Sequence, residues 1–131
     1  MSFDLVIDHQ RRRVLLVPRG CTVDESCCLA DELAAIGRRA AQSCRLAVST
    51  PGPARSRPGE SPRLQTGAGR DSIEGGFDGE LGAAFVGLRP GGVHLWYLEF
   101  GTRHVSSRPW LISTLSREMP VLEQMWHRAL A

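Results

Sequence analysis

The 131 residues suffice for one domain around one core, burying about two thirds of the surface that the unfolded chain would expose. A formal charge of +2 is too small for bulk attraction to nucleic acid or to a membrane surface, and no run approaches the roughly 20 apolar residues of a bilayer span. All sixteen basic residues are arginine, which fits a GC-rich coding sequence better than a phosphate site, where both basic types are usually mixed over one face.

In chain order, "FDLVI" and "RVLLV", separated by the polar "DHQRR", read as a pair of strands or as an extended arm. Acids precede the arginines in this stretch, unlike a secretion signal, so a cytoplasmic setting is expected. Thr22 followed by Glu25 is a capping box that opens a helix. From Val23, the residues Cys27, Ala30, Leu33, Gly37, Ala40, Cys44 and Ala47 recur at spacings of three and four, which predicts one long helix with a packing face of small residues. Its partner, the sheet or a neighbouring subunit, is expected to approach closely.

Four cysteines are present, but Cys21, Cys27, Cys28 and Cys44 include no CxxC pair and no matched histidine spacing. They are expected to be small apolar fillers rather than zinc ligands. Residues 49–65, "STPGPARSRPGESPRLQ", have the proline content and the lack of periodicity of a long loop. "TGAGRDSI" suggests a short helical turn, and "GAGRDSIEGG" as a whole reads as a turn, lacking any dinucleotide or phosphate-loop spacing. "ELGAAFVGL", the turn "RPGG" and "VHLWYLEF" read as a β-hairpin. A final helix is expected from Pro109 with Ser106 or Ser107 as N-cap, split or bent at Pro120. The sum is an α+β domain over 1–131: a small antiparallel sheet packed against a long N-terminal helix and a Pro-interrupted C-terminal helix.

No nucleophile elbow, HExxH or other catalytic signature appears, and His94 and His104, each five residues from Glu99, have no ordinary metal geometry. Neither a catalytic site nor a cofactor or metal is expected.

"SPRLQTGAGRDSI" and "WYLEFGTRHVSSRPWLISTL" together resemble the neck or tail-completion proteins of tailed bacteriophages. The residues that carry the resemblance are Pro62, Thr66, Gly67, Ser72 and Ile73, then Glu99, Gly101, Thr102, Pro109, Trp110 and Leu111. Residues 61–115 match best. Ala68 and Gly69 stand where larger residues are common, and Trp96-Tyr97 departs from the usual pair. The resemblance implies a non-enzymatic virion protein at the head-tail interface, assembled in the host cytoplasm. It implies a homo-oligomeric ring, commonly a hexamer, that meets a connector or head-closure ring and the tail tube protein, with genome DNA passing through the lumen without sequence-specific binding. A head-closure role in the same neck is the nearest alternative. A nucleic-acid-binding module using Arg55, Arg57, Arg63 and Arg70 is another, and a non-viral oligomeric adaptor a third.

Glu99 interrupts an apolar run, and a buried carboxylate needs partners. Backbone N–H groups are expected, or Arg103, Arg108 or a neighbour's Arg70, so Glu99 either caps a helix turn in its own subunit or joins two subunits. Gly101 is expected to make a chain reversal. Residues 45–70 hold five arginines against one glutamate, and residues 71–100 five acids against one arginine. This predicts an acidic sheet segment facing a channel and a basic loop reaching sideways onto a neighbour.

Overall fold

The computed structural model describes residues 2–48, 68–101, 107 and 109–131. Pro62, Thr66, Gly67, Thr102, Ser106, Arg55, Arg57, Arg63, Arg103, His104 and Arg108, and with them the loop expected at 49–65, lie outside the described residues.

Four strands form one antiparallel sheet in the order β1-β2-β4-β3. β1 (Phe3–Asp8) and β2 (Arg13–Pro18) are the expected first pair, in register from Phe3 opposite Pro18 to Asp8 opposite Arg13. β2 also pairs with β4 (Ala83–Leu88). Because it is a central strand, β2 is buried on both faces at Val14, Leu15 and Leu16, while edge strand β1 leaves Val6 and Ile7 exposed.

The second hairpin corrects the sequence reading. β4 turns back not onto "VHLWYLEF" but onto β3 (Ile73–Asp78), the "IEGGFD" that reads as a turn in sequence. The connecting turn is built by Asp78, whose Oδ1 accepts from the amides of Glu80 (3.0 Å) and Leu81 (3.1 Å). "RPGG" instead becomes a short 3-10 turn, Pro90–Gly92, and "VHLWYLEF" becomes α4 (Val93–Phe100). An eight-residue run that is mostly apolar has no clear period, so a strand and a buried helix look alike in it. In the fold Leu95, Trp96 and Glu99 turn inward together, which is a helical spacing.

The expected N-terminal helix is broken in two. Thr22 Oγ1 does accept from the Glu25 amide, at 3.1 Å, but α1 (Val23–Cys28) ends at Leu29, whose φ and ψ of -115° and 31° leave the helical region. α2 (Ala30–Ala47) starts afresh. The break takes Val23 and Cys27 off the packing face: both are exposed, whereas Leu33, Gly37, Ala40 and Cys44 are buried as expected.

The partner of that small-residue face is the sheet. A Cβ at Gly75 would run into the Gly37 carbonyl and lie 2.9 Å from the Ala41 Cβ, and a Cβ at Gly37 would lie 2.7 Å from the Gly76 amide. Helix and strand therefore meet backbone to backbone, a contact only glycine allows. α3 (Ala68–Asp71) is the expected short helical turn.

α5 (Ile112–Leu130) runs unbroken through Pro120, so of the two readings of that proline the single helix is found. Pro120 and Ser116 are both exposed, so the carbonyl that loses its donor faces water. Leu115, Met119, Leu122 and Trp126 bury the opposite stripe, with Trp126 against Phe3 at 5.8 Å between ring centroids. The core lies between the sheet and the helices α2, α4 and α5. No helix among the described residues is long and apolar enough to cross a membrane.

Candidate functional site: the Glu99 clamp and the arginine groove

Glu99 is 7% exposed and both of its oxygens are used inside its own chain. Oε2 accepts from the amides of Trp110 (2.8 Å) and Leu111 (3.2 Å), and Oε1 from that of Ile112 (2.7 Å). These are N–H groups at the start of α5, which have no partner within a helix, and the negative charge also opposes the positive end of the helix dipole. Leu111, the residue at the cap position, has no side-chain cap of its own. The expected start at Pro109 with a serine cap is therefore corrected: α5 begins at Ile112, and its cap is a carboxylate supplied by α4.

Two further features close the clamp. Trp110 is fully buried and its indole Nε1 donates to the Leu95 carbonyl at 2.7 Å. Gly101, which ends α4, has φ 73° and ψ 170°, a region open essentially to glycine alone. Of the partners expected for Glu99, backbone amides of its own chain are found, while Arg103 and Arg108 lie outside the described residues. Arg70, offered as a partner from a neighbour, bonds Asp71 beside it at 3.1 Å.

The other described motif residues are architectural too. Ser72 is buried and its carbonyl accepts from the Arg89 amide at 2.9 Å, joining α3 to the end of β4. Ile73, buried, opens β3. Leu111 is in the core and Pro109 is half-buried.

Beside the clamp, His9 of the β1–β2 turn accepts from the Trp96 indole at 3.2 Å and stands edge-on to Phe100 at 4.9 Å, with Phe100 against Trp96 at 4.6 Å. Tyr97 and Phe100 remain exposed, and His94 lies exposed on the same helix.

Most acids of the expected acidic sheet segment are paired or buried within the chain. Asp78 bonds Arg13 at 2.7 Å, Glu74 bonds Arg89 at 3.0 Å, Asp71 is held by Arg70, and Glu99 is buried. Of those five acids only Glu80 has no side-chain partner among the described residues. Burial raises the Asp78 carboxyl pKa, but the Arg13 hydrogen bond, the Leu81 amide, the Arg13 charge and the Glu80 amide outweigh it and hold it below the usual range. Asp8 is also lowered, first by the Arg11 amide and, against the opposing effect of burial, by Arg13.

Of the thiols, Cys27 and Cys28 are exposed and Cys21 half-buried. Burial first, and the Glu99 charge second, push Cys44 up to about 12, so it packs as a neutral filler. Ser2 Oγ lies 3.0 Å from His127 Nε2, but Glu123 bonds the Ser2 amide at 2.9 Å instead of orienting the imidazole. That cluster ties the N-terminal strand to α5. Among the described residues no group of histidine, cysteine and carboxylate side chains is placed to hold a metal.

A groove of about 540 Å³ runs between α2 and β3, lined by Arg38, Arg39, Gln42, Arg45, Glu74 and Arg89 together with Ala35 and Gly75. Arg45 Nη2 donates to the Ile73 carbonyl at 2.7 Å, and Arg39 reaches Glu118 at 3.6 Å. Sequence reasoning passed over this cluster. Its signal was the spacing of Arg38, Gln42 and Arg45 on one face of α2, but Arg89 joins them only through the sheet.

Comparison with family models, with curated proteins and with solved structures finds no match to this chain.

Proposed function

We propose that the chain is a structural subunit of a tailed-phage virion that assembles into a homo-oligomeric ring at the head-tail interface, as a neck, tail-completion or tail-terminator protein. The observation that supports the reading is the clamp: the residues that carry the resemblance, Glu99, Gly101, Trp110 and Leu111, together fix α4 against the start of α5. A block of this kind preserves the shape of a subunit, which is what an assembly repeated many times over requires. Its partners in this reading are copies of itself, the adjacent connector or head-closure ring and the tail tube protein, with DNA passing through the lumen.

The arginine groove favours a second reading, a nucleic-acid-binding module. One experiment separates the two. Light scattering on the purified full chain gives its mass with and without a short DNA duplex. A discrete multimer that ignores the duplex supports the ring, whereas a monomer whose mass rises with duplex, less so as salt increases, supports the module.

A further inference from the structure

The exposed charges of the described surface are divided along α2. At one end Asp24 and Glu25 of α1, Asp31 and Glu32 of α2 and Glu80 of the β3–β4 turn are all exposed. The Cys27 thiol donates to the Gly79 carbonyl at 3.4 Å, which brings α1 and that turn together. None of these five acids forms an ion pair among the described residues. Toward the other end lies the groove, with four arginines against one glutamate. Arg89 is engaged by Glu74 and Arg39 weakly by Glu118, while Arg38 is exposed with no ion-pair partner among the described residues. From Asp31 to Arg45 the helix axis spans about 21 Å.

We infer that the acidic end of one copy seats in the arginine groove of the next, and that this is the head-to-tail contact of the assembly. The inference rests on the ring reading above and names the surfaces that would build it. The two patches differ, so the contact is heterologous and propagates from copy to copy, as a ring demands.

Charge complementarity selects the occupant. The residues that line the groove include no aromatic side chain on which a base could stack. The stretches of this chain outside the described residues do not supply the carboxylates either: 49–67 has three arginines against one glutamate, and 102–106 has one arginine and no acid. Helix dipoles account for acids in the first turns of α1 and α2, but not for Glu80 or for the unpaired Arg38 midway along α2.

The test is a charge exchange on the full chain, followed by sedimentation velocity at about 50 mM and about 500 mM salt, on either side of strong screening. Wild type should assemble, less at high salt. R38E/R89E and D31R/E32R should each associate about tenfold or more weakly alone, and an equimolar mixture should recover assembly, because every groove then faces an end of opposite charge. Circular dichroism checks that each variant is folded, and R38Q/R89Q with D31N/E32N replace any pair that is not. Wild-type rings with variants that assemble equally well would overturn this contact and leave the ring reading standing. A wild type monomeric even at low salt would overturn both. A duplex oligonucleotide that binds wild type, is lost in R38E/R89E and leaves sedimentation otherwise monomeric would assign the groove to nucleic acid instead.

Discussion

Glu99 shows how one side chain decides the position of a helix. Its carboxylate meets three amides at the start of α5, two of them buried and that of Ile112 partly so, and a buried donor left without a partner costs about 1–3 kcal/mol. Glu99→Ala is therefore expected to lower monomer stability by about 3 kcal/mol or more, read as a fall in denaturant midpoint. A stable monomer that merely failed to assemble would move Glu99 to an interface and contradict the clamp. Gly101→Val should cost about 1–3 kcal/mol, because valine does not tolerate φ 73° with ψ 170°. An unchanged melting temperature would show the position to be ordinary.

Among elements, the contact of α2 with β3 is the tightest. Gly75→Val would drive a branched side chain into the Gly37 carbonyl and is expected to destabilise by about 3 kcal/mol, more than ordinary overpacking, since backbone rather than a flexible side chain must move. A folded variant with wild-type stability by urea denaturation would sink that packing. The Arg13–Asp78 bond, with Arg13 5.3 Å from the Phe85 ring centre, ties β2 to the end of β3. Because the folded Asp78 and Asp8 carboxyls are held below their unfolded values, near 3.8, their contribution is fully present above about pH 5 and is lost as pH falls through the folded values. Asp78→Asn, which keeps an oxygen for the turn amides, should lower the melting temperature at neutral pH, by about 1–2 kcal/mol of stability. Its profile should then be flatter than that of the wild type from pH 5 down to about 2. Parallel acid profiles for the two proteins would show that the bond contributes nothing.

Local signals made the Thr22 cap, the first strand pair, the small-residue face of α2 and the apolar stripe of α5 legible in the sequence, since each depends on neighbours within a turn or two. "IEGGFD" was illegible as a strand because its two glycines signal a turn locally, while the reason for Gly75 is a helix some forty residues earlier in sequence. "VHLWYLEF" carried no period to separate strand from helix. At the site, the need of Glu99 for partners followed from burial cost alone. That the partners are the amides of Trp110, Leu111 and Ile112 depends on where the chain returns after Gly101, which local pattern does not specify.

Over the whole molecule, the fold leaves two unlike charged surfaces, an acidic end at α1 and the β3–β4 turn and a basic groove between α2 and β3. The clamp fixes the placement of α4 against the start of α5, which in the proposed ring would keep every copy the same shape. The central claim is that such subunits close into a ring. Electron microscopy of the purified full chain at low salt, with class averages viewed down the assembly axis, tests it most directly. The account predicts closed rings of one subunit number around an opening wide enough for a DNA duplex, while isolated monomers, or two-fold dimers without a central hole, would contradict it.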